Sequence, residues 1–479
     1  MIKTLIHTSE KNNHYIYDDQ HRLSMLIHPE LMKVHEKSAD IDPYYLDKYE
    51  YLKKHDLFIE PRLVDIGTLD ELMVEEGIIR TQQIVFEVTD NCNLNCTYCS
   101  EGELYREFYS RNNKKINNQY AINLLKYILT LKQKRKYNKL KIGFYGGEPL
   151  LNIKFIKQIV EFVKQWNPEN KMEILYNITT NATLIHKHIQ FLSENNFQLL
   201  VSLDGNEKNN SYRIFKNRNT NSFSKVVDNL DMIKRDYPDY FISNINFNTV
   251  LHDRNSVKDI YEFIFIRYNK IPRISELSSD NTNPDKKNIY NGIFHRKRKS
   301  EEEYQKEKSN LLPINETLTF LETSDFLKYI SINYYMSNLT SILQNSMDKY
   351  FPTSTCIPFN KKIFLTVHNK LIPCEKINQK YSMGEANQNV LFDISEITRQ
   401  YNFYYNHIKK ECQKCYAYKF CGLCLFHINN LDKVDTEEFT CNRFYDKKGF
   451  QNKLYRLFSF LEKSPESFFQ ILENIIIEE

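Results

Sequence analysis

Cys92, Cys96 and Cys99 lie within eight residues, separated by three and then two residues. Three thiolates so spaced can hold three irons of a [4Fe–4S] cubane and leave the fourth iron without a protein ligand. A fully ligated electron carrier would want four cysteines; an open iron suits a cluster that binds a small molecule. The competing chemistry is a zinc knuckle or three ordinary buried thiols. Three cysteines with no nearby fourth fit zinc poorly. Seven more cysteines, Cys356, Cys374, Cys412, Cys415, Cys421, Cys424 and Cys441, follow a stretch that has none. In a reducing compartment ten cysteines read as metal ligands rather than disulfides. They define two metal-binding regions separated by a cysteine-free body.

The elements that must position these thiols follow from hydrophobic periodicity. Strand candidates are Ile84–Thr89, Leu140–Tyr145, Glu173–Thr179, Phe197–Leu203, Phe241–Leu251 and Arg273–Leu277. Between them apolar residues recur at helical spacing, as in Phe155, Ile156, Ile159 and Val163. Strands alternating with helices imply a parallel sheet. Ligands bind such sheets at the carboxyl ends of the strands. The cysteine loop follows the first strand, Gly146-Gly147-Glu148-Pro149 the second, and Ser202-Leu-Asp-Gly205 ends the fourth. Three motifs therefore converge on one face.

The rest of the chain divides around this body. Residues 1–80 carry two short strands, Lys3–Thr8 and Tyr15–Asp18, a third at Leu23–His28, and helical patterns at Pro29–Lys37 and Tyr44–His55. Residues 81–280 hold the strand–helix repeat. Residues 281–350 form a helical bridge whose charge run, with Arg296-Lys-Arg-Lys299 before Glu301-Glu-Glu303, reads as a solvated face or, less simply, a basic patch for a partner. Residues 351–445 hold the second cysteine region. Residues 446–479 end in an amphipathic helix from Asn452. The 479 residues suffice for two or three domains with full cores. A net charge of +4 argues against an extended nucleic-acid surface. Only 11 Gly and 13 Pro argue against long disordered linkers. With no secretory signal and no apolar run of membrane-spanning length, the expected location is the cytoplasm, away from membranes.

The Cys-x3-Cys-x-aromatic-Cys loop with Gly-Gly-Glu-Pro about fifty residues later resembles the radical S-adenosylmethionine (SAM) enzymes, and the seven later cysteines resemble their SPASM extension. The resemblance spans residues 84–445. It implies an open (β/α)6 partial barrel resembling a TIM barrel, and a SPASM domain that carries two auxiliary [4Fe–4S] clusters. The N-terminal module resembles a winged-helix leader-recognition domain in its order of elements; a cap packed on the next domain reads equally well. SAM would bind the open iron of the Cys92, Cys96 and Cys99 cluster. Tyr98, Gly146, Gly147, Glu148, Ser202 and Arg213 would contact SAM, and Asn181, at the end of the third strand, would line the pocket or serve as a helix cap or turn. Arg213 stands one residue closer to Ser202 than in sulfatase-maturing members. The first auxiliary cluster would use Cys356, Cys374 and Cys424, and the second Cys412, Cys415, Cys421 and Cys441. Two departures bear on ligand geometry. Cys421 and Cys424 have two residues between them where the family has three, and Asn369 stands where it has glycine. A zinc ribbon at 412–424 would have an unusually short loop. Glu375, next to Cys374, matches the family's general base.

The resemblance implies that ferredoxin or flavodoxin reduces the first cluster, which cleaves SAM to methionine and a 5′-deoxyadenosyl radical. That radical would abstract hydrogen from a ribosomally made precursor peptide, leading to a crosslink, a thioether or an epimer. An anaerobic sulfatase-maturing, formylglycine-forming enzyme is a second reading. A metal-binding partner protein without catalysis is a third.

Overall fold

The computed structural model describes residues 4–475, except 20, 56, 58–64, 106–111, 170, 280–281, 308, 335–348 and 352. They divide into two compact units. One comprises residues 69–311 and 356–401, the other residues 1–68, 312–355 and 402–479.

The smaller unit opens with three antiparallel strands, β1 (Thr4–Thr8), β2 (His14–Asp18) and β3 (Leu23–Ile27), in the order β1-β2-β3. The helices Pro29–His35 and Pro43–Lys54 follow, each with proline in its first turn, where the missing N–H costs nothing. Leu5 and Tyr17 pack with Phe326, Leu454, Leu457 and Phe458 from later helices of the same unit. The C-terminal apolar pattern forms two helices, Lys447–Lys463 and Pro465–Glu473. Pro465 cannot continue the first and begins the second.

The larger unit is built on eight strands. They are β4 (Gln83–Thr89), β5 (Lys139–Gly146), β6 (Glu173–Thr180), β7 (Gln198–Ser202), β8 (Ile245–Leu251), β9 (Arg273–Glu276), β10 (Lys362–Leu365) and β11 (Leu371–Ile372). The sheet order is β9-β8-β7-β6-β5-β4-β10-β11. From β4 to β9 every neighbouring pair is parallel, which makes an open partial barrel of six β/α units, as expected. Helices cover its outside. Ile153–Trp166 buries Phe155, Ile156, Ile159, Val160 and Val163 on one stripe, each stabilising by roughly 1.5–3 kcal/mol. Ile159→Ala would cost about 2–5 kcal/mol.

Two features depart from the sequence reading. Phe241–Asn244, expected as strand, belongs to a short helix that starts at Pro238, and β8 begins only at Ile245. Beyond β4 the sheet gains β10, parallel to it, and β11, which turns back antiparallel. Asn369 sits in that turn at φ 64°. Asn tolerates this left-handed conformation, so the expected glycine is not required there.

Candidate functional site

The cysteine loop leaves the end of β4 and is clamped from two sides. On one side lies Tyr212–Lys216. Lys216 N–H donates to Asn93 O at 2.9 Å, Asn95 N–H to Ile214 O at 2.8 Å and Thr97 N–H to Tyr212 O at 3.4 Å. The two stretches thus run antiparallel. On the other side lies the end of β5. Gly147 N–H donates to Thr89 O and Glu148 N–H to Asn91 O, both at 2.8 Å. Gly146 has φ 127°, and a Cβ on Gly147 would collide with the Asn91 carbonyl. These two glycines let the β5 turn press against the stem of the loop.

Glu148 is fully buried. Its carboxylate accepts from Leu150 N–H at 3.1 Å, Thr180 Oγ1 at 2.7 Å and Asn181 N–H at 2.8 Å. Burial pushes the Glu148 carboxyl up to about 7 against the opposing pull of these donors. Asn181 continues the chain. Its side-chain amide donates to Asn93 Oδ1 at 2.9 Å and lies 3.8 Å from Cys92 Sγ.

Across the loop, Asp204 is buried at the end of β7. It accepts from Arg213 Nε at 2.9 Å, Arg213 Nη2 at 3.2 Å, Val250 N–H at 3.0 Å and the Tyr98 hydroxyl. Burial opposes its ionisation, but Arg213 and His252 win and hold its carboxyl at about 2. Tyr98 stacks on His252, their centroids 5.5 Å apart, beneath the Arg213 guanidinium. Ser202 ends β7, half-buried, in register with Asn248 of β8. Asp204 and His252 were not singled out from the sequence. The signal was there for Asp204, in the Ser-Leu-Asp-Gly that ends a strand nine residues before an arginine.

Glu375 follows β11. Its carboxylate accepts from Lys362 Nζ at 2.6 Å and from Cys374 Sγ at 3.4 Å. Burial works against its ionisation, yet the Lys362 ammonium keeps its carboxyl below the usual range. Tyr145 of β5 stands in the field of Glu101, Glu375 and Cys99; burial first, then these charges, keep its hydroxyl protonated. Glu101, Glu375 and Cys99 thus act on the same buried hydroxyl within this unit. Cys356 and Cys374 belong to this unit too.

The smaller unit holds Cys412, Cys415, Cys421, Cys424 and Cys441. Cys412 is raised by burial and then by Cys421, Cys441 and Cys415, so these four thiols share one electrostatic environment. The Cys421–Leu425 loop is gripped by the stretch before it in this unit: Ser354 N–H donates to Leu423 O at 3.1 Å, and Leu425 N–H to Thr355 Oγ1 at 2.7 Å.

The donor chemistry fits iron–sulfur clusters. The Leu94 N–H donates to Cys92 Sγ at 3.4 Å, and the amides of Lys376, Leu423 and Arg443 donate to Cys374, Cys421 and Cys441. In each case the donor is two residues beyond the cysteine. Burial pushes the Cys96 and Cys374 thiols up to about 12. These sulfurs are therefore sheltered acceptors, suited to thiolates neutralised by metal. Among the described residues no three His, Cys, Asp or Glu side chains are grouped to hold a single metal ion. A cubane takes each thiolate at a separate iron, so its ligands stand farther apart.

A parallel half-barrel carries three cysteines in the loop after its first strand, and residues 86–265 match the radical SAM superfamily. That segment is a radical SAM domain, and the family implies a [4Fe–4S] cluster and SAM as cofactors. The chain is 26% identical over 360 residues to the cysteine-type anaerobic sulfatase-maturating enzyme of Clostridium novyi (strain NT), covering 71% of this chain and 86% of that one. It is 31% identical over 180 residues to the radical SAM cyclopropyl synthase TigE of Paramaledivibacter caminithermalis, covering 36% of this chain and 35% of TigE. The solved structure of native anSMEcpe with bound AdoMet and Cp18Cys peptide superposes with a TM-score of 0.52 at 20% identity, covering 83% of this chain and 99% of that one. Among the described residues no helix is long and apolar enough to cross a membrane.

Proposed function

We propose that this chain is a peptide maturase that abstracts hydrogen from a ribosomally made precursor peptide in the cytoplasm. When bound, the Cys92, Cys96 and Cys99 cluster and SAM supply reductive cleavage of a sulfonium and a carbon radical. The chain's own residues bind, orient and exclude water. Tyr98, Gly146, Gly147, Glu148, Ser202 and Arg213 form and support the SAM site. Glu148 acts through Asn181, whose amide lies near the Cys92 sulfur. Glu375, ionised beside Lys362, accepts a proton from substrate. Cys356 and Cys374 would ligate one auxiliary cluster; Cys412, Cys415, Cys421 and Cys441 would hold another. Ferredoxin or flavodoxin delivers the electron, and the N-terminal strands with their helices engage the leader.

The observation that supports this reading is the cysteine loop after β4 held between the Gly147–Glu148 turn and the Tyr212–Lys216 stretch. The names of the relatives support a peptide or protein substrate. A sulfatase-maturing activity is the second reading, favoured by the match across 86% of the Clostridium novyi enzyme. Anaerobic reconstitution should give about twelve irons per chain. It should also give dithionite-dependent 5′-deoxyadenosine. Incubation with peptides from neighbouring reading frames, followed by mass spectrometry, tests the substrate. Turnover of a sulfatase peptide alone would select the second reading. Zinc without iron would defeat both.

A further inference from the structure

Arg213 lies opposite Cys96. The rungs Asn95 N–H to Ile214 O and Thr97 N–H to Tyr212 O bracket the two residues, and Leu94 bridges Phe215 on the next step. Residues directly opposite on such a ladder have neighbouring side chains. The guanidinium does not stand alone. Asp204 takes two of its N–H groups while also accepting the Tyr98 hydroxyl and the Val250 amide. His252 Nε2 lies 3.8 Å from the same carboxylate. Every part of this cluster is buried, so its charges are weakly screened.

We infer that Asp204 is a positioning residue. It fixes the Arg213 guanidinium against the Cys96 corner of the N-proximal cluster, and the opposed charges of the pair set that cluster's reduction potential. This rests on the reading that Cys92, Cys96 and Cys99 hold a [4Fe–4S] cluster. The reasoning is electrostatic. Reduction adds negative charge to the cluster, so a nearby cation favours the reduced state and a nearby anion opposes it. Hydrogen bonding, net charge and solvent exposure are the protein's means of setting such potentials. Asp204 cancels part of the Arg213 charge and holds the rest in one place. An arginine free to swing would give an ill-defined field.

The two charges predict shifts of opposite sign, which loosened packing would not produce. In the reconstituted full-length enzyme without SAM, the N-proximal cluster is followed by electron paramagnetic resonance during a potentiometric titration. Its signal is identified by its loss in Cys92→Ala. Asp204→Asn keeps the shape but removes the negative charge, and should shift the potential upward. Arg213→Gln should shift it downward, and the double variant should return toward the parent value. Tyr98→Phe removes a donor from the carboxylate and should also shift it downward, which keeps the test decisive if Asp204→Asn assembles poorly. Shifts in the same direction, or no shift with full iron content, would overturn the inference alone. A parent protein with no N-proximal cluster signal would overturn the underlying reading with it.

Discussion

The Glu148 carboxylate accepts the Asn181 backbone N–H at 2.8 Å, and the side-chain amide of Asn181 lies 3.8 Å from Cys92 Sγ. A buried acid on the β5 turn thus orders the end of β6, which in turn steadies the first cysteine. Three donors converge on its two oxygens, so Glu148→Gln turns an NH2 toward at least one of them. An unsatisfied buried donor costs about 1–3 kcal/mol. The pH dependence has a definite sign. The folded carboxyl sits at about 7 against an ordinary 4.5. The folded state therefore binds more protons between those values, and stability falls as pH rises from about 4.5 to about 7. Thermal unfolding across that range should show the decline in the parent and a flatter profile in Glu148→Gln. Identical slopes would remove Glu148 from this role.

Much of this architecture is legible in the chain because parallel strands are buried on both faces and read as apolar runs between helical patterns. Val85, Phe86 and Val88 announce β4 in that way. What escaped depends on partners far away in sequence. β10 joins β4 across some 280 residues, and nothing in Lys362-Ile-Phe-Leu365 names that neighbour. Lys362 looks like a surface residue until Glu375 is brought against it. The charge run at Arg296–Glu303 reads as solvated. One side of its helix is nonetheless buried through Ser300, Glu301 and Tyr304, with Lys297 3.5 Å from Glu301. Pro238 hid a helix inside an apolar stretch that resembled one long strand.

Glu375 should separate proton transfer from SAM chemistry. It accepts from Lys362 Nζ at 2.6 Å and from Cys374 Sγ at 3.4 Å. General-base groups contribute on the order of 10²–10⁴-fold. Glu375→Gln should lower formation of modified peptide by at least roughly a hundredfold. Iron content and uncoupled 5′-deoxyadenosine release should persist. The check is product mass spectrometry and deoxyadenosine quantification on the same samples. Full retention of product would exclude Glu375 as the base.

His7 should make the smaller unit sensitive to acid. Its ring packs on Tyr15 and Phe458 with centroids 5.6 and 4.8 Å away, and neither nitrogen has a hydrogen-bond partner among the described residues. Burial lowers it from 6.5 to about 3, with Glu462 opposing. The unfolded chain binds the proton first, so stability is lost as pH falls from about 6.5 toward about 3. At pH 5 the penalty is about 2 kcal/mol. His7→Leu should therefore gain stability at pH 5 relative to pH 7.5, as read by thermal unfolding. A gain independent of pH would point to packing alone.

The ten thiols should divide by function when removed singly. Cys92 is one of three thiols in its loop, sheltered by the Leu94 amide and lying near the Asn181 side chain. Its loss leaves two ligands and no defined open iron, so Cys92→Ala should abolish SAM cleavage and remove about four irons. Cys441 shares its environment with Cys412, Cys415 and Cys421 in the other unit. Under the proposed assignment its loss leaves three ligands for an auxiliary cluster that does not bind SAM. Cys441→Ala should therefore keep measurable deoxyadenosine release while losing peptide modification. Circular dichroism and iron assays on both variants guard the comparison. If both lose folding and SAM cleavage alike, the thiols do not separate into a radical-generating set and an auxiliary set.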